Sequence, residues 1–359
     1  MDIEDLKIFK SWEQVKPYFT DPSLITVEAL FILLTLCNVY VLHTLFVAVI
    51  PAPVFITWWQ LTQGLLTAYL LGDFGSVFPK LAYFPTVKIE YELLRTLALP
   101  TVAYVAMLCS TNIMLCKSPS TAAFPILASG AVATHHAARF IACGEEYMPM
   151  RWKAIGFLLL AFVLGATDKH IAPGNVMTVA VIYAFLAAVF RAGFMERALH
   201  IVGGRGNALH NHQHFLGAMI LPIVWIVNGE LKVLIKTLPW DITCGRTWQV
   251  WGCFVAVGAL PFVKNVVSNR LIRQTGQAPW RMLELVAVAM LFIIGSFRQS
   301  PSWQVVIATI FVIVGRFLGA VDVIRNLQYA KDTESGLNHQ ASEPFLQKDE
   351  AAMVQEMET

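Results

Sequence analysis

The residues of this chain that could do chemistry are charged and amide side chains set inside long apolar runs. Arg139, Arg191, Lys264 and Arg316 each interrupt a hydrophobic stretch, and Glu284 lies near the start of another. Asn38, Gln60, Gln63, Asn112, Asn211 and Asn265 place hydrogen-bonding groups in similar settings. A charge at the centre of a bilayer costs about 3 kcal/mol or more, so such groups face one another or a wet cavity. Cations of this kind suit phosphate, and amides suit hydroxyls and base edges. That is binding chemistry. No paired carboxylates and no Ser/His/Asp set occur at a common depth, so neither an enzyme nor a cofactor is expected. His135 and His136 are neighbours on a helix and point about 100° apart. At most one can face a central cavity, and His136 is the candidate. His210, His212 and His214 surround Asn211. Histidines two apart lie on different helical faces, which argues against a metal site and for an exposed turn.

Positioning these groups falls to membrane helices. Of the 359 residues, 57% are hydrophobic and only 14% charged, with mean hydropathy +0.60. A soluble domain carries about 25% charge. Lys+Arg 26 against Asp+Glu 24 leaves a net charge of +2, too little for a nucleic-acid binder. Six cysteines without a CxxC pair, four of them in apolar runs, argue against a disulfide scaffold. Crossing a bilayer takes about 20 apolar residues. Ten segments qualify: 24–49, 53–72, 93–116, 120–143, 151–167, 175–198, 209–228, 247–269, 280–297 and 302–324. The acidic, polar opening 1–22 is unlike a cleaved signal, so the first span reads as a retained anchor.

Short hairpins at Pro51-Ala52-Pro53, Lys117-Ser118-Pro119-Ser120 and Arg298-Gln299-Ser300-Pro301 share one side. Cations are richer on the opposite side, which holds both termini and is therefore expected in the cytosol. Ten spans divide into halves of five, about 23–168 and 175–325. An odd number per half inverts one half against the other, the plan of alternating-access transporters. The expected fold is thus all-α and polytopic, with ten transmembrane helices as two inverted five-helix repeats. Residues 326–359 read as a disordered, acidic cytosolic tail.

Several strings add a family resemblance. Pro51-Ala52-Pro53-Val54-Phe55-Ile56-Thr57-Trp58-Trp59-Gln60 resembles the "PxPLxLTWxQ" start of the second span in nucleotide-sugar transporters, within the drug/metabolite transporter superfamily. Ser110-Thr111-Asn112 through Ser120 and Phe124 to Gly144-Glu145-Glu146 resembles their "SN"-hairpin-"LGE" block. Ala154-Ile155-Gly156 to Gly165-Ala166 looks like their fifth span, and Ala208 to Glu230 like their seventh. The chain departs from the family at His210-Asn211-His212-Gln213, where many members have "YNN". It departs again at Arg281-Met282-Leu283-Glu284, where "GALNK" is usual, and at Ser129, where several have a cation.

The resemblance implies an antiporter in the Golgi or endoplasmic reticulum membrane. It would exchange a cytosolic UDP- or GDP-sugar for a lumenal nucleoside monophosphate. Asn38, Trp59, Gln60, Gln63, Asn112, His136, Asn211, Lys264 and Asn265 form the candidate substrate site, with Glu284 and Arg316 as a gate or ion pair. Blander readings stand beside these. The four cations could snorkel to the headgroups, the amides could join helices, and Trp58 and Trp59 could belong to an interfacial belt. A carrier of a phosphorylated or other small metabolite and a non-transporting scaffold are the competing functions. Small residues such as Gly64 and Gly72 would permit a homodimer.

Overall fold

The structure is a computed structural model and describes residues 22–77, 86–143, 149–168, 171–203, 205–238, 245–275, 277–298 and 301–322. The N-terminal segment (1–21), Gly144-Glu145-Glu146, Trp240 and the acidic tail lie outside the described residues. Among those described, every regular element is a helix. In chain order these are α1 (Pro22–Ala48), α2 (Pro53–Val77), a short α3 (Tyr91–Thr96), α4 (Ala98–Lys117), α5 (Ala123–Cys143) and α6 (Pro149–Thr167). The second half has α7 (Val176–Ala188), which runs through a π-helical turn, Val189–Phe194, into α8 (Met195–Ile201). It continues with α9 (Gly206–Val227), a short α10 (Glu230–Thr237), α11 (Gly245–Thr275), α12 (Gln277–Arg298) and α13 (Trp303–Asp322).

These helices are apolar on their outer faces as well as inside. Leu70, Val163, Phe185, Ile223, Ile293 and Trp303 are all exposed. A water-soluble surface does not carry so much contiguous apolar area, whereas a bilayer accepts it once the backbone is satisfied within helices. The chain is therefore an all-α, multi-pass membrane protein. On length and hydropathy alone five helices can cross: Leu24–Val47, Ala98–Lys117, Val176–Ile201, Thr247–Ser268 and Trp303–Asp322. A sixth arises if α9 and α10, bent by 83° against each other, count as one broken span. Gln60 and Gln63 lower the hydropathy of α2, and His135 and His136 that of α5.

The bundle has two ends, fixed by contacts between distant residues. At one, the hairpin face, the Ser302 hydroxyl donates to Asp168 Oδ2 at 2.7 Å. His43 Nε2 bonds the Ser118 carbonyl there at 3.1 Å, and this histidine is buried. At the other, the basic face, Arg151 Nε meets Asp322 Oδ2 at 2.9 Å. Asp168 and Arg151 terminate α6, and Ser302 and Asp322 terminate α13, so these two helices run antiparallel. Nineteen residues of α6 span about 28 Å at 1.5 Å per residue, close to the thickness of the hydrocarbon layer.

Packing runs between the halves as much as within them. Helix α1 packs on α4, α11 and α12. Helix α2 packs on α4, α9 and α11, α4 also on α7 and α9, and α5 on α6 and α7. Helix α13 seats on α6, where a Cβ on Gly315 would come 2.7 Å from Leu158.

Candidate functional site

Towards the basic face, charged side chains from both halves converge. Helix α5 contributes His135, His136 and Arg139, α6 Arg151, the π-turn Arg191, α11 Lys264, α12 Arg281 and Glu284, and α13 Arg316 and Asp322. Lys264 lies within reach of the charges of Glu284, Arg316 and Arg191. Arg281 senses Glu284, Arg151, Asp322 and Arg139, and His136 senses Arg281, His135, Arg151 and Arg139. Six cations thus face two carboxylates.

The carboxylates are already engaged. Asp322 is held by Arg151, and Glu284 Oε2 lies 3.7 Å from Arg316 Nη1. Lys264 Nζ instead sits 5.9 Å from the centre of the Phe31 ring on α1. Among the described residues neither Lys264 nor Arg281 makes a hydrogen bond or close ion pair. Like charges gathered in a half-buried space repel unless an anion joins them. The arrangement is chemically suited to a multiply charged anion such as a phosphate ester. Arg191 lies on an exposed face of the π-turn, where snorkelling also satisfies it.

Nearer the hairpin face the amides form a second, uncharged group. Asn112 Nδ2 on α4 donates to Thr57 Oγ1 at 2.8 Å and to Gln60 Oε1 at 3.0 Å, both on α2. Gln60 Nε2 reaches the Val257 carbonyl on α11 at 3.5 Å. The neighbouring indoles extend the join. Trp59 Nε1 donates to the Phe254 carbonyl at 2.8 Å, and Trp58 Nε1 to the Ala218 carbonyl on α9 at 3.0 Å. Trp58 and Trp59 therefore connect α2 to α9 and α11. Gln63 packs against Gly258 of α11, where a Cβ would lie 2.7 Å from its Cγ.

The structure thus brings His136, Lys264, Glu284 and Arg316 together in one group, and Trp59, Gln60 and Asn112 in another. Asn38 leaves a buried Oδ1 without a partner on α1. Asn211 is half-buried and Asn265 exposed, and no hydrogen bond joins either to the two groups among the described residues.

The histidines of α9 are not an exposed turn. His212 and His214 are buried, and the His210 and His214 rings lie 3.8 Å apart. Gly64 of α2 makes room for His214, since a Cβ there would come within 2.7 Å of the ring. His212 Nδ1 bonds the Ala208 carbonyl at 2.7 Å while its Nε2 accepts from the Glu90 N–H at 3.2 Å. That pairing selects the Nδ1–H tautomer. Among the described residues no group of three His, Cys, Asp or Glu side chains could hold a metal ion.

Arg151, Arg281 and Asp322 were not singled out by sequence as site residues, because they lie at span ends where charge is ordinary. Their signal was the acid at the end of an apolar run, Asp322. No family model matches the chain, and no curated protein matches it.

Proposed function

We propose that the protein is an alternating-access carrier of phosphate-bearing solutes that exchanges a nucleotide sugar for a nucleoside monophosphate. The observation carrying this reading is the cluster at the basic face, built from α5 and α6 of one half and α11, α12 and α13 of the other. Lys264, Arg281 and Arg316 would offset the phosphates, and Glu284 would hold Arg316 when the site is empty. Base and sugar would be met by amides towards the middle of the bundle, among them Asn38 and Gln63.

The packing pattern supports two inverted repeats and ten spans. Exchange the first-half helices for those of the second, and several of the contacts between the halves map onto one another. Helix α1 meets α11 and α12 as α7 meets α4 and α5, α2 meets α11 as α9 meets α4, and α2 pairs with its counterpart α9. The short helices α3 and α10 occupy equivalent places at opposite ends. The positive-inside rule assigns the basic face to the cytosol. The substrate class, and a Golgi or endoplasmic reticulum membrane, rest on the likeness of the Pro51–Gln60 and Ser110–Phe124 strings to nucleotide-sugar transporters.

A second reading, a transporter-like scaffold without transport, is favoured by one observation. The amides Gln60 and Asn112 spend their hydrogen bonds on each other and on neighbouring helices. Counterflow in proteoliposomes with UDP-, GDP- and CMP-sugars separates the two. The carrier takes up at least one, and Lys264→Ala lowers that uptake about tenfold or more without lowering thermal stability. Equal uptake by the variant removes Lys264 from the site, and no uptake of any phosphorylated solute by the parent favours the scaffold.

A further inference from the structure

Among the polar contacts that join the halves at the two ends of the bundle, two occupy equivalent positions. At the hairpin face, Gly229 takes a left-handed conformation (φ 78°) that few residues other than glycine adopt. It turns the chain sharply from α9 into α10 and delivers Glu230 across to α2. Glu230 Oε2 accepts from the Phe55 N–H at 2.7 Å and Oε1 from the Val54 N–H at 3.2 Å. These are first-turn amides of α2, which no carbonyl within the helix can satisfy. The carboxylate also meets the positive end of that helix dipole. Beneath it Phe55, Trp58, Trp225 and Phe254 pack ring on ring.

At the basic face the partners are reversed. Glu90, immediately before α3, donates its N–H to His212 Nε2 in the first turns of α9. The residue preceding or opening a short helix in one half thus grips the start of the second span of the other half, once at each face.

We propose that these contacts are the two gate latches of the protein: Glu230 on α2 closes the hairpin face, and His212 on Glu90 closes the basic face. Both are made here, which describes an occluded state. Opening either side breaks its own latch and leaves the other intact, with Asn228-Gly229 as the hinge of the hairpin-side gate. The inference rests on the alternating-access reading but not on the identity of the substrate.

The test needs no substrate. Cys116 lies half-buried at the hairpin end of α4, close enough to sense the Glu230 charge. It serves as the hairpin-face reporter once the other cysteines are removed. Leu209→Cys reports the basic face from the buried cluster of Leu97, Ala198 and Val202. Membrane-impermeant maleimide is applied to either side of sealed vesicles. Glu230→Ala should raise Cys116 labelling from the hairpin side about tenfold, as loss of two bonds to a charged acceptor allows, without raising labelling of the Leu209→Cys reporter. His212→Phe should do the converse. Glu230→Gln keeps a neutral acceptor and should give the same one-sided pattern severalfold weaker; it decides the matter alone should the alanine variant not fold. Unchanged labelling in the folded variants, or both reporters rising together in either one, overturns the latches. Failure of every nucleotide sugar in counterflow, with the one-sided labelling retained, would sink the substrate assignment and leave the latches standing.

Discussion

Arg151 and Asp322, 171 residues apart in the chain, meet at 2.9 Å and tie the basic-face ends of α6 and α13. The side chains are 14% and 4% exposed, so the pair is largely desolvated. Asp322→Asn should therefore lower unfolding stability by about 3–5 kcal/mol. The double change Arg151→Leu with Asp322→Leu should cost clearly less than the two single changes summed. Denaturant or thermal unfolding in detergent measures both, and simple additivity would show that the contact is not a coupled pair.

The Glu284–Arg316 pair is a different case. Its atoms are 3.7 Å apart and its side chains 31% and 19% exposed. Solvent screens such a pair to about 1 kcal/mol or less. Glu284→Gln should leave stability within that margin, whether or not Arg316 is changed as well, while altering exchange rates in proteoliposomes. A loss approaching that of Asp322→Asn would make Glu284 a structural anchor.

Asn112 connects α2 and α4 through two donated bonds. Asn112→Ala leaves Thr57 Oγ1 and Gln60 Oε1 without this donor, and should cost about 1–3 kcal/mol. Thermal unfolding with and without nucleotide separates its two candidate roles. A helix connector lowers the melting temperature but preserves the nucleotide-induced shift, and a ligand contact abolishes the shift.

Gly295 lets α12 approach the start of α5. A Cβ there would lie 2.7 Å from Ala122 Cβ and 3.1 Å from its backbone nitrogen. Backbone cannot rotate aside, so Gly295→Ala should destabilise by about 1–3 kcal/mol. Gly252→Ala is the matched control, since nothing lies within 4 Å of its added methyl. That change should be neutral or stabilising by up to about 1 kcal/mol. Equal melting temperatures for the two variants would refute the close approach.

Chemical composition and periodicity alone determined that this chain builds apolar helices, and roughly where each begins and ends. A bilayer admits few alternatives for a sequence with so little charge, and Pro53 opens both the expected second span and α2. The depth of Lys264, Arg316 and Glu284 was legible too, because rise per residue turns position into height. Which groups meet at a given height was decided only by tertiary packing. The bonds from Glu230 to Phe55, from His212 to Glu90 and from Arg151 to Asp322 join residues more than a hundred positions apart. Nothing local to either partner encodes them: Trp59 reads as a belt residue until α11 is set against it, and His214 reads as surface until Gly64 opens a space for its ring. Helix formation is governed by neighbours along the chain, whereas the identity of a polar partner inside a membrane depends on which helix faces arrive together.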